Sequence, residues 1–378
     1  MRANTRLVAM VGPIIASLVA IPQAEAQRSP VWAACANEAD SPQMQIGACT
    51  IIILEGNQTR KDLASAYNSR GNAYDREGDY DRAIADFTKA IELDAKDAAA
   101  YNNRGISYRH EGEDDRAIAD YTKAIELDPK FALAYYNRGN VYADKGKDDR
   151  AIADYTKAIE LDPKDAWAYG SRGLAYFHKG EDDRAIADDT KAIELDPKDA
   201  LAYNNRGIAY DHKGDTVRAI ADYTKAIALN PKFALAYYNR GNVYAHKGDT
   251  ARAIADYTKT IELDPKDSSA YGNRCLARAI SGQAQSALSD CDAALQLKPG
   301  HANTLANRGI AYYLLGRYDE ALADYDAALK LDPKLASSLY GRGMTKLKKA
   351  DPTGNADIAA AKAIQPDIAD EMARYGIK

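Results

Sequence analysis

Residues 203–231 read YNNRGIAYDHKGDTVRAIADYTKAIALNP. Moved 34 positions along the chain, Tyr203, Arg206, Gly207, Tyr210, Gly214, Ala219, Tyr223, Ala226 and Pro231 meet Tyr237, Arg240, Gly241, Tyr244, Gly248, Ala253, Tyr257, Thr260 and Pro265. A fixed period of this length is the sequence sign of a helical repeat array. Each unit packs only on its neighbours, so length here counts repeats rather than cores.

Within the unit, apolar and small residues recur at helical spacing in two segments, Tyr203 to about Lys213 and about Val217 to Leu229. Gly214 suits the left-handed residue that ends a first helix, and Asp215 can cap a second. Pro231 cannot continue that second helix. The unit is therefore a helix hairpin, and small residues at Gly207 and Ala219 let its helices approach while Tyr210 and Tyr223 fill the remaining space. One hairpin cannot bury its own apolar face, so stacking must do it.

The period runs eight times without a gap over residues 64–335, with starts at 64, 98, 132, 166, 200, 234, 268 and 302. Residues 27–63 depart from it, but QIGACTIIIL at 45–54 reads as a second repeat helix, giving a capping half-repeat. An array end needs such a cover, because otherwise an apolar face meets water. Residues 336–378 hold a degenerate ninth unit, with Gly341-Arg342-Gly343 and Asp357 to Pro366, and a closing helix from Asp367 to Tyr375. A longer period overlies the first: FALAYYNRGNVYA occurs at 131–143 and again at 233–245, three repeats apart. A block of three repeats has been copied.

This pattern resembles the tetratricopeptide repeat family, whose aromatic, Gly, Tyr, Gly, Ala, aromatic, Ala, Pro signature matches Tyr203, Gly207, Tyr210, Gly214, Ala219, Tyr223, Ala226 and Pro231. The resemblance implies an all-α fold, a right-handed superhelical solenoid of antiparallel helix hairpins, with first helices lining a concave surface. Departures fall at Ala95 in place of Pro, at Asp189 in place of an aromatic, and at Cys275, Arg278 and Cys291 in place of Gly, Tyr and the aromatic. The last two cysteines thus occupy facing positions of one hairpin.

Residues 1–26 carry Arg2 and Arg6, an apolar run from Leu7 to Ile21 and the small-x-small ending Ala24-Glu25-Ala26, the pattern of a secretory signal peptide cut before Gln27. Export into a periplasmic or secreted setting lets thiols pair, and the four cysteines fall as two local couples, Cys35 with Cys49 and Cys275 with Cys291. Two disulfides are expected, each closing a loop for which about 3 kcal/mol is typical. The alternative for Cys275 and Cys291 is a pair of small buried residues. The formal net charge is −5, and no basic run occurs, so bulk phosphate or nucleic-acid binding is not expected. Beyond the leader no apolar run approaches the length of a membrane span.

Arg70, Arg104, Arg138, Arg172, Arg206, Arg240, Arg274, Arg308 and Arg342 precede the small residue of each first helix, and Asp86, Asp120, Asp154, Asp188, Asp222, Asp256, Asp290 and Asp324 recur on the second. These read as ion pairs between helices, since a planar guanidinium can bind a carboxylate bidentately. One residue before the arginines lie Asn103, Asn137, Asn205, Asn239, Asn273 and Asn307. The resemblance implies that this position points into the concave groove, where an amide offers the donor and acceptor that an extended peptide requires. Rungs roughly 10 Å apart would each serve about three extended residues. Tyr136, Tyr238, Trp167 and Phe177 would add apolar and stacking contacts, against a plain packing role between repeats.

His110, His178, His212 and His246 share one phase of the period, too far apart to ligate one metal. Where chaperone-binding members of the family place clamp lysines, this chain has Asn68, Asn102, Tyr136 and Gly170, so a carboxylate clamp is not expected. No phosphate-cradling glycine loop, paired-His metal motif or nucleophile with a His partner occurs. The expected function is a non-enzymatic scaffold for a protein or peptide segment, without cofactor or metal; self-assembly without a peptide ligand, or service as the accessory arm of an enzyme, are the alternatives.

Overall fold

A computed structural model describes residues 30–378, and the leader read at 1–26 lies outside them. The described residues form twenty-one α-helices and no strand. The chain divides into two compact units.

The first unit, described from Pro30 to Lys198, contains α1 (Pro30–Ala36), α2 (Pro42–Glu55), α3 (Arg60–Glu77), α4 (Tyr80–Leu93), α5 (Ala98–His110), α6 (Asp114–Leu127), α7 (Ala132–Asp144), α8 (Asp148–Leu161), α9 (Ala166–His178) and α10 (Asp182–Leu195). The second, Asp199–Lys378, contains α11 (Ala200–His212), α12 (Thr216–Leu229), α13 (Ala234–His246), α14 (Thr250–Leu263), α15 (Ser268–Ile280), α16 (Ala284–Leu297), α17 (Ala302–Leu314), α18 (Tyr318–Leu331), α19 (Ala336–Lys348), α20 (Gly354–Ile364) and α21 (Ile368–Arg374). Up to α20, odd-numbered helices are the first helices of hairpins and even-numbered ones the second. The segment read as a half-repeat is a hairpin whose first helix, α1, has only 7 residues.

The local chemistry of the period explains the helix ends. Gly214 sits at φ +80°, where an L side chain is strained, and closes α11. The Asp215 carboxylate accepts from the Arg218 N–H at 3.1 Å and so caps α12. Proline is not needed to stop a second helix. α4 ends at Leu93 although Ala95 follows, because the Asp94 carboxylate accepts from the Lys96 N–H at 3.0 Å, the same turn that Asp128 makes with Lys130 ahead of α7.

Packing inside a hairpin rests on one contact. A Cβ on Gly207 would lie 2.8 Å from Tyr223 Cε1, and the same holds for Gly105 with Tyr121 and Gly309 with Tyr325. Glycine therefore lets the aromatic ring of the second helix lie flat on the first. Ala219, Tyr223 and Ala226 are fully buried as a result.

Candidate functional site

Within each unit, successive first helices pack directly on one another, as α3 does on α5, α5 on α7 and α15 on α17, while no two second helices pack to that extent. The first helices therefore form the inner face of each unit and the second helices the outer face.

The arginines hold this arrangement. Arg138 Nε and Nη2 donate to both carboxylate oxygens of Asp154 at 2.8 Å, and Nη1 donates to Thr122 Oγ1 of the preceding second helix at 3.0 Å. Arg70, Arg104, Arg172, Arg240 and Arg274 repeat the triad on Asp86 with Thr50, Asp120 with Thr88, Asp188 with Thr156, Asp256 with Thr224, and Asp290 with Thr258. In Arg308 and Arg342 the third partner is a carboxylate, Asp292 or Asp326. Arg206 forks Asp222 in the same way. The Arg138 and Asp154 side chains are 16% and 9% exposed, so removing one partner falls nearer the roughly 3–5 kcal/mol of a buried pair than the ~0–1 of a surface one. Arg138 also lies over the rings of Tyr135 and Tyr142 at 5.8 and 5.9 Å. The carboxylate partner raises the arginine pKa above its ordinary value. The threonine socket was absent from the sequence reading, although Thr88, Thr122 and Thr156 recur at the same period.

The asparagine ladder takes a different place from the one expected. Asn103, Asn137, Asn205, Asn239 and Asn307 are buried, between 1% and 8% exposed, and Asn273 is partly buried. Five of the six donate their amides to the preceding first helix. Asn103 Nδ2 donates to Asn72 Oδ1 at 2.9 Å, Asn137 Nδ2 to Asn102 Oδ1 at 3.0 Å, and Asn239 Nδ2 to Asn204 Oδ1 at 3.2 Å. Asn273 Nδ2 donates to Asn242 Oδ1 and Tyr238 Oη, and Asn307 Nδ2 to the Gly272 carbonyl. Asn205 Oδ1 accepts from Asn204 Nδ2 at 3.4 Å. The reading of these amides as open rungs is corrected: a first helix is pressed between two others and by its own partner, so this position faces the preceding first helix rather than the groove.

Tyr136 and Tyr238 are buried too, 4% and 2% exposed, and Tyr136 Oη lies 3.5 Å from Ser171 Oγ. They belong to the packing between hairpins. Trp167 and Phe177 on α9 remain partly exposed, Trp167 against the cluster of Tyr136, Ala151 and Tyr155. The polar network repeats with the three-repeat block: Tyr155 donates to Asn140 Oδ1 at 2.8 Å, and Tyr257 to Asn242 Oδ1 at 2.9 Å.

The histidines lie at the exposed ends of first helices. His110 stacks on Tyr80 with centroids 4.6 Å apart, and His178 Nδ1 lies 3.5 Å from Asp148 Oδ1. Among the described residues no three His, Cys, Asp or Glu side chains gather in a metal-binding arrangement, and no helix is long and apolar enough to cross a membrane.

The four cysteines form two disulfides, Cys35–Cys49 and Cys275–Cys291. Both occupy the same place in their hairpins. Cys291 precedes Asp292, which accepts from Arg308, and Cys49 precedes Thr50, which accepts from Arg70, as Phe87 precedes Thr88. The covalent bond stands where other hairpins seat an aromatic ring on glycine.

A stack of hairpins with an inner face of first helices, stitched by a periodic guanidinium, defines a helical repeat array. Sequence models described as TPR repeat match residues 106–146, 139–180 and 173–214, and models described as tetratricopeptide repeat match 64–97, 87–119, 200–233, 234–267 and 302–335. The chain belongs to the tetratricopeptide repeat family. Among solved structures it is similar to a tetratricopeptide repeat protein from Parabacteroides merdae, at 21% identity and a TM-score of 0.52, over 66% of this chain and 98% of that one. It is also similar to the Cut9–Hcn1 hetero-tetramer of APC/C, at 18% identity and a TM-score of 0.52, over 88% of this chain and 83% of that one. YrrB, described as a TPR protein with an unusual peptide-binding site, matches at 30% identity and a TM-score of 0.42, over 49% of this chain and 95% of that one. No curated protein matches the chain.

Proposed function

We propose that this chain is a non-enzymatic scaffold that holds a segment of a partner protein along the inner face of its first helices. One observation carries the reading. From α4 to α14 the exposed positions of the second helices hardly change, as Arg82, Ala85, Lys89 and Glu92 return as Arg116, Ala119, Lys123 and Glu126 and again as Arg150, Ala153, Lys157 and Glu160. On the first helices one phase of the same period reads Asp75, Arg109, Ala143, Phe177, then Asp211, Ala245, Ala279, Tyr313. A uniform outer face beside a varied inner one supports a partner site on the first helices. Trp167 and Phe177 are the apolar anchors of this reading, and the asparagines position the helices that carry them. The two disulfides support an oxidising, exported setting.

A second reading, self-assembly, has its own observation. The solvent positions that hold Arg82, Ala85, Lys89 and Glu92 on α4 hold Met44, Gly47, Ile51 and Leu54 on α2, with Met44, Ile51 and Leu54 60%, 50% and 78% exposed. α2 bears one charged residue, Glu55, so two copies of this face meet without charge repulsion along it.

Affinity capture from the envelope fraction, followed by mass spectrometry, separates the two. The first reading expects Trp167→Ala with Phe177→Ala to reduce recovery of a captured partner at least tenfold while Ile51→Glu leaves it intact. Unchanged recovery from the α9 variants, together with self-association in sedimentation that Ile51→Glu abolishes, favours the second.

A further inference from the structure

The end of the chain does not simply continue the stack. Elsewhere, of the two helices of the preceding hairpin, a first helix packs more on the second, as α15 does on α14 and α19 on α18. α21 reverses the preference and packs chiefly on the first helix α19, leaving Ile364 at the end of α20 46% exposed.

Beyond α21, Gly376 at φ +85° turns the backbone, and a Cβ there would come 3.0 Å from Leu314 Cδ2 on α17. Ile377 is completely buried, and Tyr313 Oη donates to a main-chain oxygen of Lys378 at 3.1 Å. Ile368, Met372 and Ile377, all 0% exposed, join one cluster with Ile310 and Tyr313 of α17 and Leu339 and Tyr340 of α19, with Met344 and Leu276 at its edge. Ile310 and Tyr313 occupy the phases held by Leu174 and Phe177 on α9. Glu371, 6% exposed, accepts from Gln365 Nε2 at 2.8 Å and from Tyr375 Oη at 3.1 Å, which fixes the segment's shape.

We propose that the inner face of α17 and α19 is a binding site for a short peptide with aliphatic anchors one helical turn apart and a third in an extended tail, and that residues 368–378 of this chain occupy it as an intramolecular competitor. The inference rests on the first helices being the binding face and names what one stretch of that face accepts. The site offers a greasy floor for the anchors and the Tyr313 hydroxyl as donor to a main-chain oxygen. Because the tail is tethered, it acts at an effective concentration on the order of millimolar, and an external peptide binds in proportion to the fraction of chains whose tail has left.

The test is a fluorescence-anisotropy titration of the chain beginning at Gln27 with a labelled synthetic peptide of residues 365–378. Ile377→Asp removes the deepest anchor of the tail, and the variant binds the peptide at least tenfold tighter than the unmodified chain, with unlabelled peptide displacing it. A chain ending at Gly376 is the second variant, so that misfolding of one, seen as lost helical circular dichroism, leaves the other to decide. Folded variants that bind the peptide no better than the unmodified chain overturn the proposal. Trp167→Ala and Phe177→Ala leave this titration unchanged. Lost peptide binding with partner capture retained therefore sinks this inference alone, whereas capture indifferent to the α9 variants sinks the wider reading.

Discussion

Asn137 shows what a single residue's place in a period does and does not reveal. Its recurrence was legible, as were the paired charges of Arg138 and Asp154. Its burial was not, because a repeat spacing gives the phase of a side chain along the helix, and a helix packed on several sides has few positions where polar means wet. Polar residues inside such a stack must then satisfy each other. Asp75 displays the cost of this crowding. Burial raises its carboxyl above the ordinary value, opposed by the Ser107 hydroxyl, which donates at 2.6 Å, and by the charge of His110. A raised folded value means that the ionised form is penalised in the native state. That penalty is fully present above the folded pKa, shrinks as pH falls through it and is gone below the unfolded value. Asp75→Asn, which can still accept from Ser107, is expected to raise the unfolding midpoint at pH 7, with the gap to the parent chain closing as thermal melts are repeated toward pH 3. A gap that is constant with pH would contradict this account.

At the scale of the hairpin, nearly all of the framework could be read in advance, because a glycine facing an aromatic ring is local chemistry repeated at fixed spacing. The exceptions are informative for the same reason. In the α9–α10 hairpin the ring is replaced by Asp189, whose Oδ1 lies 3.0 Å from the site of a Cβ on Gly173 and which is 1% exposed. The occupant here is smaller and polar. Asp189→Tyr restores the contact made by Tyr155 and Tyr223, and burying the ring is expected to stabilise the chain by about 1.5–3 kcal/mol. Urea denaturation of the two chains measures it. A destabilised Tyr variant would show that this hairpin has repacked around its aspartate. What the sequence could not give at this scale was the length of α1 or the direction in which α21 leans, since both depend on contacts with helices distant in the chain.

Over the whole molecule, position in the array decides what each covalent link does. α1 is a 7-residue helix at the start of the described chain, far shorter than an isolated helix needs to persist, and Cys35–Cys49 ties it to α2. α15 and α16, joined by Cys275–Cys291, are flanked by α13 and α14 on one side and by α17 and α18 on the other. Reduction with a phosphine under native conditions is therefore expected to raise backbone hydrogen exchange in α1 at least tenfold while α15 keeps its protection. Equal losses at both places would mean that the inner bond, too, holds its hairpin together unaided. The order of repeats and the pairing of cysteines were open to a sequence reader. The tail on α17 was not, because no period announces a segment that leaves the stack.

The guanidinium triad carries a consequence for how such a chain grows. Within each unit, the second helices from α2 to α8 and from α12 to α18 present the next hairpin with the same acceptor, a hydroxyl or carboxylate in one position, and the first helix that follows brings the same fork to meet it. Hairpins are thus interchangeable parts with a standard coupling. A stretch of 34 residues, or of three times that, can be inserted or excised in frame and the severed ends still fit. The copied block at 131–143 and 233–245 is the trace of one such splice.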